Sequence, residues 1–164
     1  MSLKSAVAFA NSKMKNWLAS DYGRELQGGA PLGWAPNPGR LAEIYKLFKS
    51  NGKWDLKPAL TRRFGVSYPY AFGNAKTGSV RFDVLGNVDY GVMMSKFGIP
   101  EGEAIIASDS KLPGVGQSDS PDDVAIAIGY ALEHKYPNGP TNRQYTDFLL
   151  KYGPAETVTK PGAP

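Results

Sequence analysis

Residues 86–98, Gly-Asn-Val-Asp-Tyr-Gly-Val-Met-Met-Ser-Lys-Phe-Gly, carry the pattern that decides the fold class. Apolar side chains recur there at the period of one face of an α-helix. They are Val88, Val92, Met93 and Phe97. Gly98 follows the last of them and is a residue type that commonly ends helices. The stretch therefore predicts a helix that packs one face against a hydrophobic core.

Similar helical patterns flank this stretch on both sides. Ser120 and Thr141 are residue types that accept hydrogen bonds from the first N–H groups of a helix, so each is expected to cap the helix that follows it. Pro121 suits the first helical position, and Asp122 and Asp123 suit the positive end of the helix dipole. Further helices are predicted over residues 3–18, 40–49, 58–64, 101–107 and 120–135, and from Thr141 onward.

Four segments lack a helical pattern. Residues 23–39 are rich in glycine and proline and predict an ordered surface loop. Residues 66–84 alternate aromatic, small and β-branched side chains, which predicts a hairpin or an irregular loop. Residues 108–120 predict a flexible connection, and residues 154–164 a disordered tail. The sum is a mainly α (α+β) fold, a compact helical domain over residues 1–153 with an irregular or hairpin-like central insertion.

The composition limits the class of protein. At 164 residues the chain has the size of one domain and can bury a hydrophobic core without disulfides. Its apolar runs are too short to cross a bilayer, so no membrane insertion is expected. Polar residues interrupt the N-terminal apolar segment, so no signal peptide is expected. Cysteine is absent and the net charge is +4, which excludes thiol chemistry and is compatible with a polyanionic partner.

The reactive side chains of the sequence do not favour a mechanism based on histidine. The single histidine, His134, lies near the end of a predicted helix, where the helix dipole favours a surface imidazolium. The sequence contains no Walker loop, no paired zinc histidines and no nucleophile elbow. A reaction on this chain would therefore depend on carboxylates, lysine or tyrosine.

Three blocks of sequence resemble one known family. They are Trp54-Asp55-Leu56-Lys57-Pro58, Gly86-Asn87-Val88-Asp89-Tyr90-Gly91, and Ser118-Asp119-Ser120-Pro121-Asp122-Asp123 leading into Ile128-Gly129. In this order and at similar separations they resemble the W-D-x-K, G-N-x-x-Y-G and D-P-x-D blocks of the polymorphic toxin type 44 domain (bacterial toxin 44 family). The resemblance covers residues 40–152.

The resemblance implies a C-terminal effector module of bacterial competition systems. Such a module is carried by a larger delivery protein or secretion system into a target bacterium, and a cognate immunity protein neutralises it. Family members often have histidine at the position of Asp89. A mechanism that requires histidine there does not transfer to this chain.

The same blocks nominate a candidate site. The candidate catalytic residues are Asp55, Lys57, Asp83, Asn87, Asp89 and Tyr90, and the candidate substrate contacts are Trp54, Arg81 and Asp122. On a helix, Asn87 and Tyr90 share a face with Asp83 one turn away. We expect Asp83, Asn87 and Asp89 to line one cleft.

Five of the nominated residues have a structural alternative. Asn87 can cap a helix while Tyr90 packs in the core with its hydroxyl bonded. Asp55 can cap a helix beside a solvated Lys57. Asp122 suits the start of a helix without any site.

A peptidoglycan hydrolase is the first of two reactions that suit this inventory. Glycoside cleavage needs two carboxyl groups, one protonated and one ionised, and neither histidine nor cysteine. The sequence offers Asp55, Asp83, Asp89 and Glu43 for these roles. Aromatic residues suit stacking on sugars, and the enzyme would act in the periplasm of the target cell.

A ribonuclease acting in the target cytoplasm is the alternative. There Lys57, Arg62 and Arg81 would stabilise a phosphorane while a carboxylate serves as base. A binding module without catalysis is a third reading, but no clear exposed aliphatic stripe supports it. No cofactor or metal is expected, although a magnesium site built from several aspartates stays open.

Overall fold

The computed structural model describes residues 1–28, 38–109 and 120–162. Within these ranges the chain is mainly helical with a small antiparallel sheet, which confirms the predicted fold class. The helices are α1 (Leu3–Ala19), α2 (Asp21–Gly28), α3 (Pro38–Phe48), α4 (Leu56–Phe64), α5 (Phe82–Lys96), α6 (Glu101–Asp109), α7 (Ser120–Lys135) and α8 (Asn142–Tyr152). The strands are β1 (Ala71–Asn74), β2 (Gly78–Arg81) and β3 (Val158–Thr159).

Helices α5 and α7 lie side by side at the centre of the fold and run in the same direction. Asn87 meets Asp122 near their starts, and Ser95 meets Glu133 near their ends. Between these contacts the two backbones touch at glycines. A Cβ atom on Gly91 would lie 2.2 Å from the carbonyl oxygen of Ile126, and one on Gly129 would lie 2.3 Å from the carbonyl oxygen of Val88. Only residues without a side chain permit this approach.

The central insertion is a β-hairpin, one of the two forms predicted for it. β1 pairs antiparallel with β2, from Ala71 opposite Arg81 to Asn74 opposite Gly78. The Asn74 side chain closes the turn, because its Oδ1 accepts from the N–H groups of Lys76 and Thr77 at 3.0 Å each. This is the turn chemistry typical of asparagine.

The segment after residue 153 differs from the predicted disordered tail. β3 adds to the hairpin, with Val158 opposite Val80. Val158 is buried, and the carbonyl of Thr157 accepts from the N–H of Arg81 at 2.8 Å. Two sheet residues are too short to show any periodicity, so the sequence pattern missed them. Residues 163–164 lie outside the described part.

Several element boundaries also differ from prediction. α5 begins at Phe82, four residues before the predicted start, and α4 begins at Leu56. α2 occupies part of the predicted glycine-rich loop, because Leu26 is fully buried there. The rest of that loop, residues 29–37, and most of the predicted flexible connection, residues 110–119, lie outside the described residues.

One hydrophobic core joins these elements. It runs from α1 through α4, α5 and α7 to α8 and the hairpin. The predicted Thr141 cap is present as a capping box with Gln144 at the start of α8. No helix in the described ranges is long and apolar enough to cross a membrane.

Candidate functional site

A cleft of about 840 Å³, including solvent at its mouth, opens where α3 ends, α4 begins, and α5, α6 and α7 pass nearby. Six of the nine nominated residues line it, and they come from all three sequence blocks. These are Trp54, Asp55, Lys57, Asn87, Tyr90 and Asp122. The other lining residues are Tyr45, Phe48, Lys49, Ser50, Leu56, Gly86, Ala107, Ser108 and Ile126.

Asp55 caps α4 and shapes the rim of the cleft. Its Oδ1 accepts from the N–H of Lys57 at 3.0 Å, and its Oδ2 accepts from the N–H of Asn51 at 2.9 Å. The helix-capping role predicted as an alternative for Asp55 is therefore confirmed. The same bonds hold the carboxylate in the cleft wall, so a capping residue can also contact a ligand there.

Lys57 extends across α5 from this cap. Its Cγ and Cε would each lie 3.5 Å from a Cβ on Gly86, so the stem of the lysine lies on the surface that the glycine leaves open. Among the described residues, no carboxylate oxygen lies within 4.0 Å of the Lys57 ammonium. The ammonium is therefore a positive charge available to a ligand in the cleft.

Asn87 and Asp122 form the contact that joins α5 to α7 within the cleft. Asn87 Nδ2 donates a hydrogen bond to Asp122 Oδ1. Asn87 is in the second turn of α5 and does not cap it, since that helix begins at Phe82. Asp122 lies in the first turn of α7, where the helix dipole favours a carboxylate. The bond orients the Asp122 carboxyl group in the cleft.

Two tyrosines line the side of the cleft near α6. The Tyr90 hydroxyl donates to the carbonyl of Ala104 at 2.9 Å, and its ring packs edge-on against Phe48 at 5.1 Å. Burial raises the pKa of Tyr90 above its ordinary range, so the hydroxyl stays protonated. Burial and then the negative charge of Glu103 raise the pKa of Tyr45. Both tyrosines are neutral donors at physiological pH.

Trp54 supports the cleft from behind. The residue is only 2% exposed, and its ring stacks on Trp17 at a centroid distance of 6.5 Å. Tyr22, Phe48 and Phe97 complete the aromatic cluster. The indole therefore holds the cleft wall in place and offers little surface to a substrate.

Arg81 and Asp83 lie outside the cleft lining. The guanidinium of Arg81 binds both carboxylate oxygens of Asp83, at 2.6 Å from Nε and 2.5 Å from Nη2. The Asp83 carboxylate is buried. The ion pair links the last residue of β2 to the first turn of α5.

Asp89 also lies outside the cleft, on the side of α5 that faces α8. The Tyr145 hydroxyl donates to Asp89 Oδ1 at 2.5 Å, and Oδ2 has no hydrogen-bond partner among the described residues. Burial raises the pKa of Asp89 from 3.8 to about 7, and the tyrosine bond offsets only part of that effect. Asp89 is thus a buried acid between two helices.

The other acidic and basic side chains proposed for a reaction, and the single histidine, lie on the surface. Glu43, Arg62 and His134 are exposed, and none of them lines the cleft. Within the described ranges, no group of three or more histidine, aspartate or glutamate side chains is placed to hold a metal ion.

Sequence reasoning missed the contribution of α3 and the segment after it. Tyr45 lies in the predicted helix over residues 40–49, Lys49 is its last residue, and Ser50 follows it. The signal that could have identified them is their closeness in sequence to the Trp54 block.

Comparison with protein-family models, curated proteins and solved structures finds no match to this chain. The interpretation of the site therefore rests on its residues and their geometry.

Proposed function

We propose that this protein is an antibacterial effector module whose cleft hydrolyses the glycan strands of peptidoglycan by carboxylate acid/base chemistry. The observation that carries the proposal is the convergence of six nominated residues from three distant blocks on one cleft. The resemblance to the toxin 44 blocks supports the effector role. A larger delivery protein and a cognate immunity protein are the partners that this role requires.

Asp55 and Asp122 are the two carboxyl groups proposed for catalysis. Both line the cleft, and glycoside cleavage requires two such groups on opposite sides of the scissile bond. Asp122 is the proton donor or base, oriented by Asn87. Asp55, held by two main-chain N–H groups, is the ionised partner. Asp83, Asp89 and Glu43 take no part, because they lie away from the cleft.

The other lining groups have binding roles in this proposal. Lys57 offers a positive charge, which suits a carboxylate of the wall polymer or the developing negative charge on a leaving oxygen. The neutral hydroxyls of Tyr45 and Ser50 supply polar contacts to sugar hydroxyl groups.

Ribonuclease activity is the alternative, and the two lysines of the cleft favour it. Lys49 and Lys57 both line the cleft, and lysine stabilises the charge that develops on a reacting phosphate. The proposed arginines do not support it in the same way, because Arg62 is exposed on α4 and Arg81 is bound to Asp83.

Digestion of purified peptidoglycan sacculi tests the proposal. We expect the wild-type protein to release soluble glycan fragments, and Asp122→Asn to lower the rate by about 100-fold or more, the usual contribution of a general acid or base. Asp123→Asn is the matched control, since Asp123 is on the same helical turn but does not line the cleft. Thermal unfolding checks that each variant is folded.

Expression in two compartments separates the alternatives. Toxicity that requires an added periplasmic signal peptide supports action on the wall. Toxicity without the signal, together with degradation of cellular RNA that Asp122→Asn abolishes, would instead establish the ribonuclease.

A further inference from the structure

Tyr68 exposes an aromatic ring to solvent beside the start of α5. The residue is 61% exposed, the most exposed tyrosine among the large hydrophobic residues of the described part. The guanidinium carbon of Arg81 lies 5.1 Å from the centre of its ring, which is within the range of a cation–π contact. Arg81 therefore supports the ring from one side, while most of the residue stays exposed to solvent.

The charge of Arg81 is balanced locally. The same guanidinium makes two charge-assisted hydrogen bonds to Asp83, which is the strong bidentate arrangement for this pair of groups. Asp83 is only 6% exposed, so the ion pair is partly shielded from water. The Arg81–Asp83 pair beside the Tyr68 ring therefore carries no net charge of its own.

This surface lies next to the proposed active site along α5. Asp83 and Asn87 are four residues apart, so they share one face of the helix, separated by about 6 Å along its axis. Asn87 lines the cleft, and Tyr68 packs on Arg81 at the preceding turn. A polymer that extends from the cleft towards the start of α5 would reach the Tyr68 ring.

We infer that Tyr68, supported by Arg81, is a binding subsite that stacks on one sugar ring of the glycan strand outside the catalytic cleft. The inference rests on the proposed function and adds the place where the strand is held. Aromatic rings with one polar end are suited to surfaces that are partly apolar and partly wet, as a sugar face with its hydroxyl groups is.

The balanced charge favours a glycan over RNA as the ligand of this subsite. Single-stranded RNA is bound by aromatic rings together with positively charged groups that follow the phosphates. Within residues 1–28, 38–109 and 120–162, the cation that lies on Tyr68 is Arg81, which already binds the carboxylate of Asp83. A neutral sugar ring needs no such charge.

Co-sedimentation with purified sacculi tests the subsite. All proteins carry Asp122→Asn, so that the sacculi are not digested, and the bound fraction is measured over a range of sacculus concentrations. We expect Tyr68→Ala to weaken binding by about 2- to 13-fold, the effect of one aromatic contact of about 0.5–1.5 kcal/mol. Tyr68→Phe should bind like the parent, because the ring makes the contact.

Tyr152→Ala is the matched control. Tyr152 is also exposed, at 46%, and has a cation, Lys151 Nζ, 4.9 Å from its ring centre, but it lies on α8 and does not line the cleft. It should bind sacculi like the parent. Equal binding of sacculi by Tyr68→Ala and the parent would overturn the inference. The same holds if Tyr68→Ala weakens binding to a fluorescent oligoribonucleotide but leaves binding to sacculi unchanged. Release of fragments by the wild-type protein is scored separately, so a failure of the proposed hydrolysis is distinguishable from a failure of the subsite.

Discussion

At the scale of single residues, two side chains that are two positions apart on α5 lie on opposite sides of the helix. Asn87 points into the cleft and bonds Asp122, whereas Asp89 faces α8 and bonds Tyr145. Two residues of α-helix correspond to a rotation of about 200°, so these side chains point in nearly opposite directions. The prediction that Asn87 and Asp89 line one cleft is therefore wrong, because helical geometry places them on opposite sides of α5. Asn87 lines the cleft, and Asp89 is buried between α5 and α8.

Asp89 makes stability depend on pH. Its pKa in the folded protein is raised from 3.8 to about 7, so between these values the unfolded chain ionises while the folded protein keeps the proton. The free energy of unfolding should then fall as pH rises through this window, by on the order of 1 kcal/mol per pH unit. Asp89→Asn should remove this component, since the amide mimics the neutral acid.

Urea unfolding at pH 5 and pH 8 measures the effect of Asp89. The difference in unfolding free energy between Asp89→Asn and wild type should move in favour of the variant at pH 8. Asp147→Asn serves as the control, because Asp147 is exposed on α8 and its ion pair with Arg143 is loose, at 3.6 Å. An identical pH dependence in wild type and Asp89→Asn would contradict the assignment.

Asp55 allows its two roles to be separated by one substitution. Asparagine caps helices about as well as aspartate, so Asp55→Asn should keep the bond from the N–H of Lys57. It should lose the bond from the N–H of Asn51, so the unfolding free energy should fall by about 1 kcal/mol. If Asp55 is also catalytic, fragment release from sacculi should fall by about 100-fold or more. A stable variant with full activity would leave Asp55 as a cap alone.

At the scale of elements, the contact between α5 and α7 depends on two glycines. The G-N-x-x-Y-G block ends at Gly91, and Gly129 lies at the end of the acidic block. Their place in the structure gives both blocks a packing role, because Gly91 and Gly129 let main-chain atoms of the two helices touch. The blocks thus combine residues that line the cleft with residues that bring the helices together.

Gly91→Ala should destabilise the protein and move Asn87 away from Asp122. The new methyl group would lie 2.2 Å from the Ile126 carbonyl oxygen, and overpacking of this kind costs about 1–3 kcal/mol or more. Chemical unfolding measures the loss, and fragment release measures the effect on the cleft.

Gly102→Ala provides the opposite expectation. Gly102 lies in α6, and among the described residues no atom outside the backbone of its own helix and its chain neighbours would come within 4 Å of an added Cβ. Alanine there should stabilise the protein by about 0.5–1 kcal/mol, because it restricts the unfolded chain and favours helix. Equal effects of Gly91→Ala and Gly102→Ala would show that the close approach of α5 and α7 does not limit stability.

At the scale of the whole molecule, the sequence could predict what depends on local periodicity and capping. Thr141 caps α8 as expected, and the hairpin turn forms at Asn74. The association of the three blocks followed from resemblance, since no local rule places Asp122 beside Asn87. The partner of Asp89 could not be predicted, because tertiary packing brings Tyr145 to it from 56 residues away. Arg81 and Asp83 lie two residues apart, but neither helical periodicity nor a capping rule pairs them.

The local sequence pattern predicts disorder for the C-terminal segment, whereas long-range strand pairing orders it. The Val158 side chain is buried, and the Thr157 carbonyl accepts a hydrogen bond from the Arg81 N–H, just before α5. Ending the chain after Gly153 should lower the unfolding free energy by at least about 2 kcal/mol, the value of burying one valine. Ending it after Lys160 keeps β3 and removes the hydrogen bond from the Gly162 N–H to the Ala75 carbonyl, so the loss should be smaller, about 1 kcal/mol. Equal stability of the two truncated chains would show that β3 contributes nothing.

In most helix pairs, the volume of the core side chains determines the distance between the helix axes. Because α5 and α7 touch through main-chain atoms, their distance does not depend on that volume. Helices that touch through large side chains take an axis spacing that follows those side chains. Here Gly91 and Gly129 set the spacing. Replacing Leu85 or Met93 by another apolar residue can then alter the core while the gap between Asn87 and Asp122 keeps its width, so the chain can diverge in sequence without losing the cleft.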